Sequence, residues 1–263
     1  MTWKIDLAPS DDTIRSLLRQ DPRWAAYALG DLHPPFRARS TFLAASRGES
    51  WAVLLIYRTT MFNAIQAFGP PGGVRALFKA APKLPQTCII SNGTGDQEEV
   101  IEQFYTLSNE QLMFRMFIDA ARFKPFAGSC DQLTISDVPE MSAFYSMNEI
   151  GTFSPDQVQH GVYFGVRRHG ILVALGGTHL ISTPERLGAI GNIYVDPMVR
   201  GQGFARVISS ELTKRLLELG CEEIVVNVSK SDHNAIHAYT HLGFQRHSLF
   251  WEAGARLRRE GEK

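Results

Sequence analysis

The sequence predicts an α+β protein built of two domains, each a mixed β-sheet with flanking helices. Three observations predict it. The chain has 263 residues, 44% of them apolar, which suffices for two packed cores of ordinary size. Strand-like and helix-like segments follow one another in a similar order in the two halves. Between the halves, residues 119–129 lose periodicity and carry Pro125 and Gly128. The domains are therefore read as 1–125 and 126–263.

The first half opens with helical segments at 12–19 and 22–30. Strands are expected at 41–45, 50–57 and 62–68, where apolar and β-branched residues cluster. Gly69-Pro70-Pro71-Gly72-Gly73 then breaks the chain, and 74–81 reads as a helix. A strand at 88–91, a helix at 97–107 and a strand at 112–118 complete the half. In the second half, 132–135 is a short strand and 137–146 a helix, with Ser136 as its N-cap. Ser154-Pro155 starts a further helical turn, since Ser caps and Pro suits the first helical position. Strands at 161–166 and 171–181 flank the turn Arg168-His169-Gly170, and 189–195 is the next strand. Phe204, Ile208, Leu212 and Leu216 recur every fourth residue, which makes 204–219 a helix with one buried face. Gly220 ends it. A strand at 223–228, a helix at 232–242 stopped by Gly243, and a strand or strand pair at 244–252 close the chain.

Composition excludes several classes of function. Lys plus Arg number 27 and Asp plus Glu number 27, so no charge imbalance points to nucleic acid. Cys88, Cys130 and Cys221 are far apart and form no C-x-x-C, so neither a zinc site nor a disulfide framework is indicated. The start of the chain has no apolar signal-peptide core, and no run of eighteen apolar residues occurs. A cytoplasmic protein with no membrane partner is expected, either monomeric or homodimeric. The charged end after Trp251 reads as solvated. His233, His237 and His241 share a helical face but have no acidic or Cys partner, so no metal is expected.

The most informative stretch runs from Ile193-Tyr194-Val195 through Pro197 to Arg200-Gly201-Gln202-Gly203-Phe204-Ala205. It reads as a strand, a glycine loop and a helix start. A helix N-terminus offers unpaired N–H groups to an anion, and glycines let the backbone approach it closely. Arg200 and Arg206 add positive charge. A Walker A loop is absent, and a dinucleotide fingerprint fails because position 206 is Arg where glycine is required.

This stretch resembles the signature V-x-P-x-x-R-G-x-G-x-[AG] of the GNAT superfamily of N-acetyltransferases, through Val195, Pro197, Arg200, Gly201, Gly203 and Ala205. A second block resembles the family's A-x-x-x-Y-x-x-x-G-F helix and strand, through Ala235, Tyr239, Gly243 and Phe244, preceded by Val226-Asn227-Val228. The likeness covers about residues 130–252. Within the superfamily, 161–166 and 176–179 look similar to the branch related to glycine N-acyltransferases. The first half then looks like a degenerate GNAT domain. Its loop at 69–73 lacks the Arg, and two prolines remove N–H donors. It is expected not to bind coenzyme A but to wall the acceptor site, with Trp24, Tyr27, Phe36 and Phe42 as candidates. Tyr105 would mimic the position of Tyr239.

The resemblance implies acyl transfer from acetyl-CoA to an amine. The strand ending at Val195 would bond the pantetheine arm through Ile193, Tyr194 and Val195. The pyrophosphate would sit on residues 201–205. The strands at 190–195 and 223–228 would splay apart to admit the thioester. Asp232 and Asn234 would lie on the cofactor side, although the family often has Asn where Asp232 stands. Tyr239 is the expected general acid toward the leaving thiolate. The strand before the loop carries no carboxylate, which leaves His179 or Glu149 as base, or a water chain oriented by Asn192 and Asn227. A small-molecule amine is the expected acceptor. The alternatives are a protein N-terminus or lysine as acceptor, or a non-catalytic acyl-CoA sensor.

Overall fold

A computed structural model describes residues 2–93, 95–148 and 153–259. The chain divides into two compact units, Met1–Phe114 with Ser248–Lys263, and Arg115–His247. The first contains β1 (Lys4–Asp6), α1 (Asp11–Leu18), α2 (Ala26–Gly30), β2 (Ser40–Arg47), β3 (Ser50–Arg58), β4 (Asn63–Phe68), α3 (Pro71–Ala80), β5 (Thr87–Gly93) and α4 (Asp96–Ile101). Strand β6 (Tyr105–Asp119) leads out of it. The second contains β7 (Asp131–Leu133), α5 (Val138–Met147), α6 (Pro155–His160), β8 (Tyr163–Arg168), β9 (Ile171–Ser182), β10 (Leu187–Val195), α7 (Phe204–Glu218), β11 (Glu223–Ser229) and α8 (His233–Leu242). Strand β12 (Gln245–Leu257) ends the chain. One order of elements, β-α-α-β-β-β-α-β-α, is thus written twice, as the sequence indicates.

In the first unit the strand order is β1-β2-β3-β4-β5-β12; in the second it is β7-β8-β9-β10-β11-β6. The meanders β1–β4 and β7–β10 are antiparallel. β4 pairs with β5 in parallel, and so does β10 with β11. A single boundary at 125/126 is the sequence expectation; the units divide at 114/115 and 247/248. The cause is pairing: Phe250 to Arg256 of β12 lie antiparallel to Gly93 to Thr87 of β5, so the end of the chain belongs to the first sheet.

In the first unit, α3 packs Val74, Leu77 and Phe78 against Leu54, Ile65, Ala67 and Ile90. Trp24, Phe36 and Phe42 pack within this unit, Trp24 on Phe68 and Phe250, and Phe36 on Tyr57. In the second unit, Ile208, Leu212 and Leu216 of α7 are fully buried, as their fourfold spacing requires. On the opposite face, Met141, Phe144 and Tyr145 of α5 pack with Tyr163, Leu172 and Leu175.

Three local expectations are corrected. Helix α3 starts at Pro71, so Pro71-Gly72-Gly73 form its first turn and no open loop remains there; Pro at N1 suits a helix start. Tyr105 is not helical. It opens β6, because α4 stops after Ile101 and the aromatic pair Phe104-Tyr105 favours a strand. Ser136 does not cap α5: the N-cap position is Asp137, and Thr134 and Asp137 form a capping box around the preceding turn Ile135–Asp137.

Arg167 joins three elements of the second unit. Its Nη2 lies 2.8 Å from Asp137 and 2.6 Å from Glu140, whose other oxygen accepts the Leu172 N–H at 3.1 Å. These charge-assisted bonds tie α5 to β8 and β9. Arg167→Leu is expected to cost about 2 kcal/mol, read as a fall of about 4 °C in melting temperature followed by circular dichroism.

Candidate active site

Strands β10 and β11 run side by side only at their start. Leu187 to Ile190 pair with Glu223 to Val226, and the register ends there. Beyond Ile190, β10 stays on β9, but through a bulge between Gly191 and Tyr194. Burial follows the separation. Leu187 to Ile190 are buried, whereas Gly191 to Val195 are only half-buried. The backbone of Ile193, Tyr194 and Val195 therefore lies beyond the paired part of β10 and β11, where the sequence leads one to expect the two strands to splay.

The glycine loop follows the end of β10. Asp196 accepts the Met198 N–H and starts the turn Pro197–Val199. Gly201 and Gly203 take φ of 80° and 84°, the left-handed region that favours glycine. Gly203 is the N-cap of the fifteen-residue α7 and supplies no side-chain cap. The N–H groups of the first turn therefore point outward without an intrahelical acceptor. A Cβ at Gly201 would meet nothing within 4 Å, so the loop is open on that side. Three arginines rim it. Arg200 donates to the Val195 carbonyl at 3.2 Å and lies over the Tyr194 ring. Arg206 lies over Phe126 at 4.3 Å. Arg168, which the sequence reading passed over, donates to the exposed Gln202 at 2.7 Å and lies over Phe204. Ala205 continues the first turn and accepts the Ser209 hydroxyl. Converging N–H groups, a helix dipole and guanidinium groups fit a pyrophosphate.

A polar cluster lies on the opposite face of the sheet from α7. Asn192 sits in the bulge with φ 53°. Its amide donates to Gln157 Oε1 at 3.1 Å and to the Tyr163 hydroxyl at 3.3 Å. Its carbonyl accepts the Tyr145 hydroxyl at 2.6 Å. His179 lies on β9, and the Asn192 side chain acts on its titration. The imidazole lies directly over Gly191, where an added Cβ would come within 2.3 Å of the ring. Gly177 likewise makes room for the Tyr163 ring. Burial holds the His179 pKa below its usual value, and Asn192 partly offsets this. Asn227 on β11 follows the last paired residue, and its Oδ1 is buried without a hydrogen-bond partner among the described residues. Strand alternation from Val226, opposite Ile190, puts Asn227 on the His179 face.

Tyr239 is buried on α8 with its ring 5.5 Å from Phe244. Asp232 caps α8, accepting the Ala235 N–H at 2.9 Å, which commits one oxygen to the helix. Asn234 is exposed in the first turn. Glu149 lies outside the described residues. Tyr145, Gln157 and Tyr163 escaped the sequence reading; the only signal was hydroxyls and an amide among otherwise apolar positions. The rings of His237 and His241 lie 4.0 Å apart and tilted by 56°, and no group of three metal-ligating side chains occurs among the described residues.

The first unit holds a counterpart that differs in chemistry. β4 and β5 pair at Ala64–Ile89 and Ile65–Ile90. Beyond that, the buried Asn92 reaches across: its Oδ1 accepts the Ala67 N–H at 2.9 Å. The Asn92 amide donates to Gln97, which donates in turn to the Gly69 carbonyl. The glycines here serve close packing. A Cβ at Gly69 would lie 2.2 Å from the Trp51 carbonyl, and one at Gly73 would lie 2.6 Å from Ala52 and 2.9 Å from Trp3. Tyr105 donates to the Pro85 carbonyl at 2.9 Å.

A parallel strand pair whose pairing ends at Ile190–Val226, with an uncapped helix N-terminus beside it, marks this α+β domain. The model of the acetyltransferase (GNAT) family matches residues 131–244. Over those residues the chain is similar to that family. Solved structures share its fold. It is 18% identical to a putative GNAT acetyltransferase from Novosphingobium aromaticivorans, covering 90% of this chain and 97% of that one at a TM-score of 0.64. A Drosophila protein is 14% identical, covering 93% and 96%, at a TM-score of 0.69. A tandem GNAT protein from the clavulanic acid biosynthesis pathway is 12% identical, covering 96% and 98%, at a TM-score of 0.56. No helix among the described residues is long and apolar enough to cross a membrane.

Proposed function

We propose that the chain is an acyl-CoA-dependent N-acyltransferase that uses acetyl-CoA to acetylate a primary amine of a small molecule, with one coenzyme A site, in the second unit. The observation that carries this reading is the end of β10–β11 pairing at Ile190–Val226 beside the uncapped start of α7. Gly201 to Ala205 would hold the pyrophosphate, and the edges of Ile193 to Val195 would bond the pantetheine amides. Acetyl-CoA, when bound, supplies the thioester whose acyl group moves to the amine.

The protein's own groups divide the remaining work. The amine attacks only when neutral, so a base must take its proton. His179 suits this, because its lowered pKa keeps the imidazole unprotonated near neutrality. The acyl carbon–nitrogen bond forms as the carbon–sulfur bond breaks, and Tyr239 gives its phenolic proton to the sulfur. In the first unit, the Asn92 side chain occupies the Ala67 N–H that an incoming ligand strand would need, and Pro70 and Pro71 remove N–H donors at the start of α3.

Calorimetric titration with acetyl-CoA is expected to give one site per chain. Thiol release with a panel of primary amines is expected to exceed hydrolysis in buffer. Two sites per chain would overturn the single-site reading. Tight binding with no amine-dependent thiol release would replace the enzyme by a sensor.

A further inference from the structure

Helix α8 carries a histidine pair that the acyl-transfer chemistry does not use. We infer that His237 and His241 form a surface site for a late first-row divalent cation, chelated across one helical turn, with copper(II) held most tightly. The inference stands apart from the coenzyme site and does not rest on it. The sequence expectation of no metal followed from the want of an acidic or Cys partner; a two-imidazole site completed by water needs neither.

Packing puts the pair on one face. Helix α8 buries Ile236, Ala238, Tyr239 and Leu242. His233, His237 and His241 are thereby turned to the exposed face. Residues four apart on a helix stand one above the other. The rings of His237 and His241 accordingly come within 4.0 Å, centroid to centroid, at an interplanar angle of 56°. Metal–nitrogen bonds of about 2.0–2.1 Å place neighbouring ligand atoms about 3 Å apart, a separation two such rings reach by small rotations.

One tautomer is already set. Nδ1 of His241 lies 2.9 Å from the His237 carbonyl oxygen. A carbonyl only accepts, so Nδ1 carries the hydrogen and Nε2 of the neutral ring keeps the lone pair. Ligating histidines are oriented in the same way, with one ring nitrogen donating to a carbonyl and the other on the metal. The His237 ring makes no hydrogen bond or ion pair among the described residues, so it turns a nitrogen to the same ion without breaking one. His241 also lies in the last turn of α8, where the carbonyl end of the helix dipole favours positive charge.

The ligand set selects the ion. Two imidazoles do not make the closed tetrahedral shell of a structural zinc. Two nitrogens with water oxygens in the remaining positions suit the tetragonal preference of copper(II) and nickel(II), and affinity in the divalent series peaks at copper. His233 is also four residues from His237, but no ring contact joins those two among the described residues. It serves as the control. The chelate spans the turn that contains Tyr239, so a cation bound there favours the helical form of that turn, and binding to the folded chain raises its melting temperature.

The test uses the full chain without a purification tag. Copper(II), nickel(II) and zinc(II) chlorides are titrated separately by calorimetry, and the imidazole signals are followed by NMR as substoichiometric copper(II) broadens them. The expected result is one strongest site per chain, tightest for copper(II), with the His237 and His241 signals broadened first. His237→Ala and His241→Ala are each expected to weaken copper(II) binding at least about tenfold, and His233→Ala to leave it within about twofold. Nickel(II) is expected to raise the melting temperature of the original chain and not that of His241→Ala. All three substitutions fall at exposed positions, with circular dichroism as the control for folding; the NMR readout needs no variant. Copper(II) affinity within about twofold of the original in both folded variants, His237→Ala and His241→Ala, overturns the site. Broadening that starts at other histidines, or no binding of any of the three ions, overturns it as well.

Discussion

Replacing Gly203 with valine is expected to weaken coenzyme A binding at least tenfold while leaving the chain folded. Gly203 sits at φ 84°, and a β-branched residue held there costs about 1–3 kcal/mol. An added Cβ would also touch the Phe126 ring at 3.4 Å, so the ring that supports Arg206 has to shift. The strain relaxes if residues 201–204 turn to negative φ, and that movement swings the first N–H groups of α7 away from the pyrophosphate. Loss of one or two charge-assisted bonds is worth about 1.5–3 kcal/mol each, or tenfold or more in Kd. Titration with coenzyme A, with melting temperature as the control for folding, reads the effect. Gly201→Val provides a graded comparison, since its Cβ would meet nothing within 4 Å and only the φ strain remains. A folded Gly203→Val protein that binds coenzyme A within twofold of the original would remove the loop from the site.

Much of the second unit was legible because its signals are local. Ile208, Leu212 and Leu216 repeat at helical spacing, Ser154-Pro155 caps and starts α6, and Gly243 takes φ 101° at the end of α8. What escaped depends on distant partners. β12 belongs to the first sheet only because β5 accepts it, and no residue between 245 and 257 announces that choice. β1 has three residues and exists by pairing with Ala44 to Ser46 of β2. Tyr105 shifted from helix to strand because α4 is short, a boundary that a run of Glu and Gln does not mark. The site shows the same division. Loop and strand edge were readable as a spaced motif. The cluster of Tyr145, Gln157, Tyr163 and His179 is assembled from four separate elements around one bulge, and a bulge leaves only an unremarkable Asn in the sequence. In the first unit, the glycine-rich run read as a loop became a helix start, because Gly73 and Gly69 are needed for contact with Trp3, Ala52 and Trp51.

Tyr239→Phe is expected to lower turnover at least tenfold with less than a twofold change in coenzyme A affinity. The substitution removes one hydroxyl and keeps the ring, so packing against Phe244 and the buried face of α8 persist. What is lost is a proton donor. A departing thiolate leaves more readily when a phenol delivers a proton as the carbon–sulfur bond breaks. General acid assistance of this kind contributes about a hundredfold or more in favourable cases, and water would replace part of it. Single-turnover measurement at saturating acetyl-CoA isolates the chemical step from product release. The separation from His179 is clean, because the two residues act on different protons. Loss of the base is expected to remove the acid limb of the pH–rate profile, whereas loss of Tyr239 is expected to lower the plateau and leave that limb in place. A thioester with a more acidic leaving thiol is expected to recover part of the Tyr239→Phe defect and none of the His179→Ala defect. Unchanged turnover in Tyr239→Phe, or equal rescue of both variants, would assign the leaving-group proton to another donor.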